Sequence, residues 1–283
     1  MPTPTEEFLS NICRRSFLSL WSHPHPYRAT LPVPKELCDL LVIFGDDMVL
    51  FSDKSIAFPK HDDVRVAWGR WYRGAVKESA KQLYGAARWL KDFPARVFAD
   101  AKCTLPLRVP IPDMVRARFH LIAVAWGAGE ASHRYFGETS SRSLAIDTEI
   151  IGDAHGQEPF FIGRVGADRP LVHVFDEMSL QCVMNEIDTT ADFIQYLNKR
   201  TALLNVNRPI VVAPGEEELL ARYLTNVDDE EEHSFLTTKE AASNVDTFGF
   251  EEGGWNEYLA HEKREAKIRE NQIATHGTVW SNI

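Results

Sequence analysis

The chain has 283 residues, 44% of them hydrophobic and 25% charged, with a formal net charge of −10, which is ordinary globular usage with enough apolar material for a sizeable core. That balance argues against a protein coated over its whole surface in nucleic acid, and no apolar run approaches the roughly 20 residues a membrane-spanning helix needs. The opening MPTPTEEFLS has neither a basic nor an apolar leader pattern, so a cytoplasmic chain without membrane contact is expected.

Residues 6–21 carry Phe8, Leu9, Ile12, Phe17 and Leu20 near helical spacing behind Thr5, predicting an amphipathic helix. His23-Pro24-His25-Pro26 ends it, and an extended, proline-punctuated connection runs on through Pro34. The clearest pattern follows. Leu40, Leu41, Val42, Ile43 and Phe44 form a wholly apolar run, Gly45-Asp46-Asp47 is turn chemistry, and Met48 to Phe51 form a second apolar run, which predicts a β-hairpin buried on both faces. Strands covered on both sides need helices on both faces, so the fold class expected is α/β.

A long helix is predicted over residues 68–90, with Trp71, Ala75, Leu83, Ala86 and Leu90 as its apolar stripe and Arg73, Lys77, Lys81 and Arg88 as basic positions; Asp92-Phe93-Pro94 closes it. Residues 96–98 and 119–126 read as strands, and so do 160–162, 171–175 and 209–214. A helical pattern covers 179–204, another covers 216–224, and residues 257–272 form a charged helix with few apolar positions. Basic residues outnumber acidic ones from Arg65 to Arg118, whereas the later acidic stretch includes Asp228, Asp229, Glu230, Glu231 and Glu232.

The placement of charge around the hairpin carries the chemistry. Glu36 and Asp39 come just before its first strand, and Asp53 and Lys54 just after its second. Because the hairpin doubles back, the two groups are neighbours in space. Carboxylates gathered at the end of a buried sheet are costly unless a cation neutralises them. Mg²⁺ takes such oxygen ligands and keeps waters, and a lysine beside it would steady charge building on phosphorus.

These residues resemble the motif of the PD-(D/E)XK, or restriction-endonuclease-like, nucleases, whose core is a helix, a three-stranded meander, a helix and a further strand. Asp39 matches the motif aspartate, Lys54 the lysine, and Glu36 an additional glutamate; the likeness covers roughly residues 6–126. It implies a nuclease-like core over 1–127, with 128–283 as an α+β region for recognition or partner binding. The implied activity is Mg²⁺- or Mn²⁺-dependent hydrolysis of phosphodiester bonds, with DNA the expected polymer and defence against foreign DNA the setting by analogy. Asp39, Asp53 and Glu36 would be the metal ligands and Lys54 the lysine acting on the attacking water, while Lys77, Lys81 and Gln82 on the following helix would meet nucleic acid. A homodimer or protein partner would dock through the C-terminal region.

The sequence departs from the motif at one point. The acid belongs two positions before the lysine, on the same face of the strand, and that position is Ser52. Either a β-bulge re-aims Asp53, or Ser52 is a substituted ligand, or Lys77 or Lys81 replaces Lys54. The alternative function is a catalytically silent nuclease-like module that binds nucleic acid or a partner protein.

Other polar groups read as structural. His23 and His25 sit between prolines, as in a loop, and Asp176 or Ser179 caps the helix after the strand that carries His173. The four cysteines are scattered without a CxxC pair, as buried thiols are. No P-loop, GxSxG or GxGxxG is present.

Overall fold

The computed structural model describes residues 18–137, 143–205, 209–228, 231–241 and 245–280, with positions 5, 7 and 11 before them. Most of the helix expected over 6–21 therefore lies outside the described residues. Its last turn, α1 (Leu18–Trp21), is helical, and the chain then continues through β1 (Ser22–Pro24), β2 (Tyr27–Arg28), β3 (Lys35–Glu36), β4 (Leu40–Phe44) and β5 (Asp47–Ser55). Next come α2 (Val64–Tyr72), a π-helical turn (Arg73–Lys77), α3 (Glu78–Asp92), β6 (Val97–Phe98), β7 (Arg118–Trp126) and α4 (Gly129–Phe136). The remainder is β8 (Ala145–Ile151), β9 (Phe161–Arg164), β10 (Val172–Phe175), α5 (Glu177–Glu186), α6 (Thr190–Leu204), β11 (Ile210–Ala213), α7 (Glu216–Thr225), α8 (Thr238–Ala241), β12 (Thr247–Gly249) and α9 (Gly254–Trp280).

The fold is mixed α/β. Its central sheet has the order β1-β4-β5-β7-β10, in which β4 is antiparallel to both neighbours while β5, β7 and β10 run parallel. The predicted hairpin is thus two strands of a three-stranded meander. Its other strand, β1, falls in what reads as a proline-broken connection: Pro24 pairs with Leu40 on the sheet edge, where no ladder N–H is required of it.

Side-chain alternation divides the core into two layers. Leu41, Ile43, Met48, Leu50, Leu121 and Ala123 pack with Trp68, Trp71, Leu83 and Leu90 of α2 and α3 on one face. Leu40, Val42, Val49, Phe51, Ile122 and Val124 pack with Leu180, Phe193, Leu197 and Leu220 of α5, α6 and α7 on the other. All of these side chains are buried, so each strand is apolar on both sides and reads as a continuous hydrophobic run. The expected division at residue 127 does not separate the sheet, because β10 from beyond it pairs in register with β7, Val172 opposite Leu121 through Phe175 opposite Val124.

A second sheet, β12-β11-β8-β9, belongs wholly to the later region, and a small ribbon, β3-β2-β6, sits beside the start of β4. β6 accounts for the strand expected near 97 but joins this ribbon, while β8 was not visible in the sequence because Asp147, Thr148 and Glu149 break its apolar pattern. The helix expected over 179–204 is two helices, since Thr189 accepts from the Asp192 amide and starts α6 anew. Asp176 caps α5 through a capping box with Ser179, as the sequence suggested. Among the described residues no helix is long and apolar enough to cross a membrane.

Candidate metal centre at the rim of the central sheet

The end of the sheet where β4 begins and β5 finishes is built by backbone pairing. The Asp39 amide donates to the Phe51 carbonyl at 3.0 Å, and the His25 amide donates to the Asp39 carbonyl at 2.9 Å. The chain between them folds out as the β2–β3 ribbon, in which Tyr27 pairs with Glu36, and the Leu37 amide returns to the Pro26 carbonyl at 2.7 Å. His25 takes φ +47, a left-handed conformation that turns its ring out of the line of β1.

Three ligand-bearing groups meet there. One ligand atom each from His25, Glu36 and Asp39 lies within 4.8 Å of the others, and His25 Nδ1 is 2.7 Å from Glu36 Oε1. Glu36 and Asp39 are thus neighbours as the sequence suggested. His25 is an addition; the HxH spacing was the available signal, but its flanking prolines pointed to a plain loop.

Asp39 is only partly exposed, and burial pushes its carboxyl up to about 6. The Asp53 amide, which donates to Asp39 Oδ2 at 2.6 Å, and the Lys54 ammonium pull in the opposite direction, while the charges of Glu36 and Asp53 raise it further. Desolvation of the carboxylate thus outweighs the help of the amide and the ammonium, and a cation bound there would offset it. An imidazole nitrogen and two carboxylates opening toward solvent suit a first-row divalent ion such as Mn²⁺, and an oxygen-seeking Mg²⁺ would use the two carboxylates.

The parity of β5 separates the other predicted residues. Its pairing with β7 runs without a break from Asp47 opposite Arg118 to Ser55 opposite Trp126, so there is no bulge to re-aim Asp53. Asp53 consequently lies on the Phe51 face, where the Trp126 indole donates to its Oδ1 at 2.5 Å, and its carboxylate is not one of the three clustered groups. Ser52 and Lys54 share the other face, that of Leu50. Ser52 is fully buried, and its hydroxyl donates to Gln82 Oε1 at 3.3 Å, which brings this residue of α3 against the strand.

The two helix lysines are engaged elsewhere. Lys77 Nζ is 2.6 Å from Asp153 Oδ1, and Lys81 Nζ is 3.5 Å from Glu78 on the exposed helix surface, so Lys54 is the lysine whose charge acts on Asp39. The rim is closed from the inside by Trp71, whose indole N–H lies 3.1 Å from both the Ile56 and Trp126 carbonyls. Gly127 makes the turn off β7 at φ +100, where a Cβ would stand 2.2 Å from the Ile56 oxygen.

A second polar cluster, around His173, is fully buried between β10, α6 and α7. Arg200 donates to both Glu216 carboxylate oxygens at 2.7 Å, Tyr196 donates to Glu216 Oε1 at 2.5 Å, and His173 Nδ1 is 3.0 Å from Arg200. Glu217 accepts from Ser143, and Glu218 accepts from the Gly253 and Trp255 amides at 3.0 and 3.1 Å. Each of three consecutive buried glutamates thus has its own partner, and the cluster ties α7 to its surroundings. Comparison with protein-family models, with curated proteins and with solved structures returns no match.

Proposed function

We propose that the chain is a metal-dependent phosphodiester hydrolase acting on nucleic acid, with a core of the PD-(D/E)XK kind. The observation that carries this reading is the convergence of His25, Glu36 and Asp39 within 4.8 Å at the sheet rim, with the Lys54 charge acting on Asp39. The order of elements supports it: a helical turn, the meander β1-β4-β5, the α2–α3 helix and then β7 beside β5.

In this reading His25, Glu36 and Asp39 hold the cation, which when bound supplies charge for a phosphate oxygen and lowers the pKa of water. Lys54 offers an ammonium to the developing charge on phosphorus, and Gln82 fixes the strand face through Ser52. The Asp53 amide orients Asp39. Incubating the full chain and its Asp39→Ala variant with DNA and with RNA, in Mg²⁺ or Mn²⁺, tests the proposal. Cleavage by the parent alone supports it, and equal or absent cleavage in both overturns it.

One observation favours a second reading. Ser52 stands where the motif has an acid, and the Asp53 carboxylate is held on the far face by Trp126. A silent module of this shape would bind nucleic acid or a partner without hydrolysis, and it would show no Mn²⁺-dependent rise in melting temperature. A working site gains about 2.7 kcal/mol at a hundredfold excess of ion over its Kd.

A further inference from the structure

The stretch from Arg65 to Lys77 forms the wall of a cleft separate from the cation cluster. The cleft lies between α2 with its π-helical turn and the 3₁₀ turn Gly152–Gly156, and holds about 710 Å³. That volume is within the range of sites that enclose a nucleotide-sized ligand. Arg65, Arg70, Arg73 and Lys77 line it against the carboxylates of Asp63 and Asp153.

Both carboxylates are occupied. Asp63 caps α2 by accepting from the Arg65 amide at 2.8 Å, and Asp153 pairs with Lys77. Among the described residues no ion pair is formed by Arg65, Arg70 or Arg73, all of them exposed. Like charges gathered on one helix surface repel one another, and the π turn that brings Arg73 and Lys77 into the wall is a local departure from α-helical winding. The turn buries Ala75 and Val76 in the core, but the crowding of exposed arginines serves no packing there.

Tyr72 supplies an independent observation. It lines the cleft, is 3% exposed, and its buried hydroxyl has no hydrogen-bond partner among the described residues. Burial pushes the phenol upward, so it is present as an O–H donor. A buried donor left unsatisfied costs free energy that a ligand oxygen would recover. The floor around it is fixed: Tyr72 stacks on His155 with ring centroids 4.6 Å apart, the Trp68 indole donates to the His155 carbonyl at 2.6 Å, and Gly69 passes close to Gly156.

We propose that this cleft is a phosphate-binding site, in which the guanidinium forks of Arg65, Arg70 and Arg73 and the Tyr72 hydroxyl hold phosphate oxygens of a nucleotide-sized group. Guanidinium geometry matches phosphate in paired hydrogen bonds, whereas a lone lysine acts as a point charge. The phosphate belongs either to a free nucleotide or to a nucleic-acid strand that crosses the cleft.

The test is calorimetric titration of the full chain in EDTA, so that the cation cluster contributes nothing. ATP, inorganic pyrophosphate and a 12-nucleotide single-stranded DNA are the probes. The parent should bind at least one of them, and Arg70→Gln/Arg73→Gln should weaken that binding at least tenfold; Tyr72→Phe, which preserves shape, should weaken it severalfold. Binding of ATP or pyrophosphate identifies a free phosphate ligand, and binding of the oligonucleotide alone identifies a strand. No binding by any probe, or affinity undiminished in the arginine variant, overturns the proposal. Because hydrolysis is absent from the readout, failure here leaves the reading of the rim untouched, and failure of cleavage leaves this one untouched.

Discussion

Asp39 and Asp53 are joined by one hydrogen bond and divided by the sheet: the Asp53 amide donates to the Asp39 carboxylate at 2.6 Å, while the Asp53 carboxylate lies on the opposite face beneath the Trp126 indole. Two acidic residues that look equivalent in the sequence therefore have different work. Asp39→Asn should lower Mn²⁺ affinity at least tenfold, measured by calorimetry. Asp53→Ala should leave it within about threefold and instead cost about 1–3 kcal/mol in urea unfolding, since the indole N–H loses this acceptor. The reverse pattern would make Asp53 the ligand.

Ser52 bears on whether the site works. It shares a face with Lys54, is 0% exposed, and sits against Gln82. A carboxylate introduced there adds an oxygen ligand where the motif has one, but without a cation it is a buried, poorly solvated charge. Ser52→Asp should therefore lower the melting temperature in EDTA and raise it more than the parent does when Mn²⁺ is added. With roughly 4–8 °C per kcal/mol for a domain of about 100 residues and less for a larger one, a shift of several degrees in each direction is expected in a thermal scan. A variant indifferent to Mn²⁺ would remove Ser52 from the site.

The legible parts of this fold are those in which one physical signal dominates. Leu40 to Ile43 and Leu121 to Ala125 are buried on both faces, so unbroken apolar runs revealed β4 and β7, and the Trp71–Leu83–Leu90 stripe revealed the long helix. What stayed hidden depends on partners distant in sequence. β1 is three residues ending in Pro24 and is a strand only because β4 offers it an edge. β10 enters the central sheet from beyond residue 127, and nothing in its own residues says which sheet receives it. At the rim, flanking position alone singled out Glu36, Asp39, Asp53 and Lys54, of which Glu36 and Asp39 lie together. His25 reaches them through a positive φ and a ribbon that folds back, neither of which leaves a periodic trace. The side on which Asp53 falls was a question of parity, answered by an unbroken register with β7.

The Arg200–Glu216 pair anchors α7. Both groups are about 2–3% exposed, the contact is bidentate, and Tyr196 and His173 complete the set. Removing one member strands the other charge, so Glu216→Gln should destabilise the fold by about 3–5 kcal/mol in urea unfolding. Replacing the pair by apolar side chains of similar volume should cost less than that single change. A single variant within 1 kcal/mol of the parent would show that water reaches the pair.

The stability of the chain toward acid should depend on His155. Its ring is 0% exposed; Nε2 accepts from the Gly163 amide at 2.9 Å, so Nδ1 carries the proton, 2.7 Å from the Gly152 carbonyl. Protonation would place a second N–H against the Gly163 N–H, and burial holds the ring at about 4, below the ordinary 6.5. A depressed histidine favours the folded state fully above pH 6.5; as pH falls toward 4 the unfolded chain takes up a proton that the native state refuses, and about 3 kcal/mol is lost. His173, also lowered by burial, acts in the same sense, whereas Asp176, raised to about 7, acts in the opposite one. The total slope therefore mixes several groups, and a difference isolates this one. In urea unfolding from pH 7 to 4, the stabilities of the parent and of His155→Gln should converge as pH falls, by close to one proton's worth of slope. Parallel curves would mean that His155 titrates in the native state much as it does in the unfolded chain.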